Sequence, residues 1–452
     1  MFREDSSFRI SCLSPFVLPE ILTSIPGPES LRLAARLKAV ECRNTTYVSP
    51  DWPVFWDKAD GVNVWDADGN RLLDFTSAFG VTTLGHGFSA KAAADQAGRL
   101  VHAMGDVHPA RLKVELCERL SAITFEKWSG EKGKTLLGNS GFEAVEAALK
   151  TAVMATGKSG ILAFHGAYHG LGYGALLGAG IEWFRAPFEG QLSQVTTRLP
   201  FPQAGDDDSW KHFLTELQAV DPATIGAVLI EPMQGRGGIV IPPTELLREL
   251  RAWCDQHGAV LIFDEIYTGL NRTGKRFGGD WSGVVPDLIC LGKSLSGGFP
   301  ISACVGKAAI MDAWPETDGE ALHTSTFLGN PLGCAMAILS LDEHAKDATT
   351  QAALEIGEAL GKAMAGLAGE PYVFETRGVG LMQAVELRHS DGSPAGDVCI
   401  ELVKGLLKDG ILALPDAPEG HVLALTPPLG VSREEIDFVV QRIRQRLRAW
   451  NA

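Results

Sequence analysis

Residues 259–269 read Ala-Val-Leu-Ile-Phe-Asp-Glu-Ile-Tyr-Thr-Gly, and residues 288–298 read Leu-Ile-Cys-Leu-Gly-Lys-Ser-Leu-Ser-Gly-Gly. Each is a short apolar run that ends abruptly in charge. Asp264 and Glu265 close the first, and Lys293 closes the second. Runs this short, aliphatic and without alternation read as strands buried on both faces. Three more fit that description at 160–164, 225–231 and 302–306, with helical periodicity at 142–156 and 244–256. Apolar strands joined by helical crossovers predict an α/β fold with a mostly parallel central sheet flanked by helices. Ligands of such sheets bind at the carboxyl ends of the strands, where Asp264 and Lys293 fall.

The flanks read differently. Residues 60–75 alternate around an Asp-Gly-Asn turn and suggest a small hairpin. Residues 350–368 and 432–449 carry amphipathic helical patterns around short strands near 379–387 and 421–426. The expected division is an N-terminal segment (1–85), a large domain (86–335) and a C-terminal segment (336–452). The two outer segments together form a smaller α+β domain.

A chain of 452 residues can build a large core. Its formal net charge of -15 disfavours nucleic acid and anionic membrane as partners. No apolar run approaches the ~18 residues of a membrane span, and acids and prolines break up the N-terminal stretch, a poor secretory signal. The eight cysteines show no metal-type spacing, and Cys290 and Cys304 sit in apolar runs. A reducing, cytoplasmic location follows.

Chemistry concentrates where strands end. A lysine and a carboxylate on adjacent strand ends suit pyridoxal phosphate. The lysine holds the aldehyde as a Schiff base, and the acid keeps the ring nitrogen protonated. The plain alternative is a surface lysine and a turn-capping aspartate. Ser140 and Glu143 form a capping-box pattern before a helical run. Ser140, Gly141 and Phe142 could equally offer a hydroxyl and two amides to a phosphate at that helix N-terminus. In Phe164-His165-Gly166-Ala167-Tyr168-His169-Gly170, Tyr168 suits stacking on a flat ring. His165 and His169 lack the partners of a metal site, so no metal is expected. Glu231 closes the run 225–231, where it either bonds within the site or caps a turn.

These segments together resemble the class III aminotransferases, fold-type I pyridoxal-phosphate enzymes that include the ornithine and 4-aminobutyrate aminotransferases. The resemblance runs from about residue 26 onward. It rests on PGPES (26–30), DADGNRLLDF (66–75), LGHG (84–87), NSGFEAVEAAL (139–149), FHGAYHG (164–170), IEPMQG (230–235), DEIYTG (264–269) with NRTG (271–274), LGKS (291–294) and STFLGNP (325–331). It implies that Lys293 carries the cofactor and shuttles the proton, and that Asp264 pairs with the pyridinium nitrogen. Tyr168 and Ile266 sandwich the ring, His169 joins the cofactor site, and Glu231 orders the network. Ser140, Gly141 and Phe142 bind the phosphate. Thr326 reaches the phosphate from a second subunit of a homodimer with shared sites, or of a tetramer built from such dimers.

The departures concern substrate. Where the family places a carboxylate-binding arginine before Pro-Pro, this chain has Ala424; where the arginine's shielding acid follows Gln-Gly, it has Arg236; and a second family arginine aligns with Leu171. Either Arg236 is a relocated carboxylate clamp, or it faces solvent or pairs with a local acid. With Phe79 as an aromatic wall, the pattern suits a bulky or hydrophobic donor. The implied activity is transfer of an amino group from a primary amine or ω-/β-amino acid to a keto acid by ping-pong half-reactions. A racemase, epimerase or aminomutase on the same scaffold is the alternative. A non-catalytic sensor is disfavoured because Lys293 is present.

Overall fold

The computed structural model describes residues 17–450. Residues 1–16, which include Cys12 and the start of the N-terminal segment, and residues 451–452 lie outside it. Five strands fall where the apolar runs predict: Gly160–Phe164, Ile225–Ile230, Val260–Asp264, Leu288–Leu291 and Ser302–Lys307. They join two more in one seven-stranded sheet. Its order is Gly133–Gly138, Ser302–Lys307, Leu288–Leu291, Val260–Asp264, Ile225–Ile230, Gly160–Phe164, Thr196–Leu199. The last five of these run parallel, and Ser302–Lys307 is antiparallel to both its neighbours. The two strands absent from the expectation are the edges. An edge strand has one unpaired side and needs no continuous apolar run, so Gly-Lys-Thr-Leu-Leu-Gly and Thr-Thr-Arg-Leu carry little signal.

Both faces of the central strands are covered, and successive residues serve opposite layers. Val260 and Ile262 pack with Ala144, Val145 and Ala148 of the helix Gly141–Thr156. Leu261 and Phe263 pack with Leu246, Leu247 and Leu250 of the helix Glu245–His257. Two-sided burial is why these strands read as unbroken apolar runs.

The region around the expected hairpin is three-stranded: Trp56–Asp60, Asn63–Asp66 and Arg71–Asp74. Ile411–Leu412 adds to it in parallel at Leu73 and Asp74. The segment near 379–387 is two strands, Val373–Val379 and Met382–Leu387, in an antiparallel sheet with Val422–Leu425 and Leu414–Asp416. A helix at Gly396–Lys408 was not expected. Val62, Leu73 and Phe75 share one core with Leu402, Leu406, Val439 and Ile443, so the two ends of the chain fold against each other. Among the described residues no helix is long and apolar enough to cross a membrane.

Candidate active site

A cavity of about 340 Å³ opens at the carboxyl ends of the parallel strands. Lys293, Asp264 and Glu231 each stand at or just past the end of a different strand and line it, together with Tyr168, Ile266 and Arg236. Gly141, Phe142, His169 and Leu171 complete the expected residues there. Residues more than a hundred positions apart meet because parallel strands put all their carboxyl ends on one side.

Asp264 is fixed from two directions. Its carboxylate accepts from the His169 ring Nδ1 at 2.7 Å and from the Ile266 amide at 3.1 Å. Glu265, next along the chain, points away, as neighbouring strand residues must. It is buried against the amides of Gly278 (2.8 Å) and Gly279 (2.7 Å) and the Thr268 hydroxyl. Of the Asp-Glu pair, only the aspartate belongs to the cavity. Glu231 accepts from the Tyr168 amide at 2.8 Å and from the Gly235 amide at 3.0 Å, joining two of the loops that form the wall. Burial pushes its carboxyl up to about 7, against the pull of His169.

Lys293 sits at φ 44° on a short turn after Leu288–Leu291. A non-glycine residue there costs on the order of 1–3 kcal/mol. Its neighbour restrains the turn: the Ser294 hydroxyl donates to Gly80 O at 2.9 Å, and the Ser340 hydroxyl donates to Ser294 O at 2.7 Å. Burial lowers the Lys293 amine to about 8, although Asp264, Glu231 and Asp416 all favour its charged form. Its Nζ lies 3.7 Å from the centroid of the Tyr267 ring. Tyr267 is wedged between glycines, since a Cβ on Gly80 or Gly235 would stand 2.3 or 2.2 Å from the ring. Sequence reasoning passed over Tyr267, although it follows directly on Asp-Glu-Ile.

At the helix N-terminus, Glu143 accepts from the Ser140 amide at 3.0 Å, the return half of the capping box. The Ser140 hydroxyl oxygen is buried and makes no hydrogen bond within the chain, and the same holds for His169 Nε2. A Cβ on Gly141 would stand 2.9 Å from Ile266, so glycine lets the helix start lie against that side chain. An orphaned hydroxyl and first-turn amides without helical partners fit a phosphate.

Four predicted residues are not part of the cavity wall: Ser140, at the helix start beside it, and three more. Ala424 is buried in an apolar cluster with Ile239, Met382, Ala384 and Val422. Phe79 is 59% exposed on a tight turn where Ser77, Ala78 and Phe79 all have positive φ. Thr326 is exposed on the loop before the helix Pro331–His344. Arg236 does line the cavity, but its Nη1 is paired with Asp416, a residue the sequence did not single out.

A flat ring with a phosphate at one end and an aldehyde at the other fits this crevice, which places the chain among the pyridoxal-phosphate enzymes. It belongs to the class III aminotransferase family, which it matches over residues 46–447. It is 33% identical over 416 residues to an acetylornithine aminotransferase of Methanosarcina acetivorans, covering 91% of this chain and 97% of that one. To a 4-aminobutyrate aminotransferase of Escherichia coli it is 34% identical over 407 residues, covering 87% and 93%. An amine transaminase structure from an uncultivated Pseudomonas species, in its pyridoxal-phosphate-bound form, superposes with a TM-score of 0.82 at 27% identity. That match covers 90% of this chain and 98% of that one. The protein is therefore a pyridoxal-phosphate-dependent aminotransferase with a fold-type I architecture.

Proposed function

We propose that this aminotransferase takes its amino group from a primary amine whose far end is uncharged and apolar, and passes it to a keto acid. One observation carries the reading. Among the described residues that line the cavity, Lys293 apart, no cation is left free to hold a donor's second carboxylate, since Leu171 is apolar, Arg236 is paired with Asp416, and Ala424 lies in an apolar cluster outside the wall. Acetylornithine and 4-aminobutyrate, named for the relatives above, both end in a carboxylate; an amine transaminase does not require one.

Residue roles follow from the geometry. Lys293 holds the cofactor and, with its amine close to neutrality, takes the proton from the donor carbon and returns it. Asp264, kept in place by His169, faces the ring nitrogen. When bound, the cofactor supplies the electron sink for the charge that develops beside the donor nitrogen. Ser140, Gly141 and Phe142 would hold the phosphate, and Tyr168 and Ile266 the ring faces. Glu231 positions the loop that carries Tyr168. Thr326, exposed and away from this cavity, suits a role in the neighbouring site of a homodimer. We place the enzyme in the cytoplasm and retain the division at residues 85 and 335.

Half-reactions test this without any keto acid. An arylalkyl amine added to the holoenzyme should bleach its visible cofactor band, and ornithine should do so far more slowly. A band that persists while a chiral donor is inverted would establish a racemase instead.

A further inference from the structure

Arg236 and Asp416 are 180 residues apart in the chain and meet at the wall of the Lys293 cavity. Arg236 follows the strand Ile225–Ile230, and Asp416 ends the strand Leu414–Asp416. The two backbones are tied as well, because the Ala417 amide donates to Arg236 O at 3.2 Å. Among the described residues each side chain forms its one ion pair with the other, while Asp416 also acts at longer range on Lys293. They are unequally placed, with Asp416 4% exposed and Arg236 35% exposed. Asp416 is thus the fixed member, and Arg236, with further N–H groups uncommitted, can turn toward either the cavity or solvent. A carboxylate this buried needs its cation, because removing one member of such a pair leaves an uncompensated charge. As a pair they cancel.

We propose that Asp416 is a specificity-determining residue: it holds Arg236, keeps the cavity wall electrically neutral, and thereby selects donors with an uncharged tail. Breaking the pair from either side gives the wall the sign of the survivor. Loss of Asp416 frees a guanidinium, which binds carboxylates through its planar fork. Loss of Arg236 leaves a buried carboxyl that burial already pushes up to about 7, so it ionises only where an entering cation takes the place of the guanidinium. Specificity here lies in a cancellation rather than in an attractive contact. The inference rests on the amine-donor reading given above.

Three four-carbon donors of equal length test it on the holoenzyme: 1-aminobutane, 4-aminobutanoate and 1,4-diaminobutane, with pyruvate as the common acceptor. Asp416→Asn should raise kcat/KM for 4-aminobutanoate relative to 1-aminobutane by about tenfold or more, or ~1.4 kcal/mol. Arg236→Met should do the same for 1,4-diaminobutane and leave the 4-aminobutanoate ratio flat or lower. The double variant should bring both ratios back toward those of the parent. Arg236 is partly exposed, so Asp416→Asn leaves a charge that water can reach, and that variant keeps the test alive if Arg236→Met, which strands the buried Asp416, folds poorly. Ratios that stay within about twofold in both single variants, or that move in the same direction, overturn the proposal. If the parent's visible band persists with all three amines, the donor reading itself is wrong and this inference falls with it. If the band bleaches and the ratios are flat, only the role of Asp416 is lost.

Discussion

Lys293 should titrate as an unusually acidic amine, and the size of the effect can be worked out. Burial lowers it to about 8. At pH 7 roughly one molecule in ten then carries a neutral Lys293, against about one in 2,500 for an ordinary lysine near ~10.4, a difference of ~200-fold. Burial wins although three carboxylates oppose it, Asp264 most strongly, followed by Glu231 and Asp416. The perturbation is Asp264→Asn. Taking away an anion that stabilises the ammonium must lower the pKa further, so the variant's lysine should be neutral at a still lower pH. Competitive labelling of the cofactor-free protein with an acyl anhydride between pH 6 and 11 gives the titration directly. The Lys293 peptide is quantified by mass spectrometry against exposed lysines of the same molecule. A parent midpoint near 8 that falls in Asp264→Asn is the expected result. A midpoint near 10.4, or one that rises in the variant, would refute the claim that desolvation controls this amine.

Three further outcomes follow from single contacts. Ser140→Ala should barely change the stability of the cofactor-free protein, within ~0.5 kcal/mol, because its hydroxyl bonds nothing in the chain. The same variant should weaken cofactor affinity by about tenfold or more, measured by equilibrium dialysis, since a hydroxyl bond to a phosphate is worth ~1.5–3 kcal/mol. Glu265→Ala leaves the Gly278 and Gly279 amides and the Thr268 hydroxyl without their acceptor. At ~1–3 kcal/mol for each buried orphan, urea unfolding should show a loss of at least ~3 kcal/mol. Gly235→Ala puts a Cβ 2.2 Å from the Tyr267 ring. It should destabilise by ~1–3 kcal/mol and move the Lys293 labelling midpoint as the ring shifts beneath Nζ.

The legible part of the fold was the part buried on two sides. Five strands could be placed from their apolar runs because each must satisfy helices above and below, a demand written into consecutive residues such as Val260 to Phe263. The edge strands at 133–138 and 196–199 meet no such demand, and their polar residues hide them. The helix Gly396–Lys408 escaped for another reason. Its buried face includes Val398, Cys399, Val403 and Gly405, β-branched and small residues whose local preference does not favour a helix. Packing against the hairpin at the far end of the chain settles it, and no local reading contains that contact.

The site divides along the same line. Lys293, Asp264, Glu231 and the Ser140 turn could be found because chemistry confines each to a strand or helix end, and a strand end is visible in sequence. Asp416 could not. It closes a three-residue strand, and its ion-pair partner Arg236 lies 180 residues away in the chain. Sequence alone left Arg236 with two readings, a clamp for substrate or a partner for a local acid, and its residue type is compatible with both. The guanidinium's charge is matched by Asp416, so the cavity wall at Leu171 stands without an added cation, and Ala424 lies behind it in an apolar cluster. Charge pairing across the fold, more than the identity of any one cavity residue, therefore determines what the donor's far end can be.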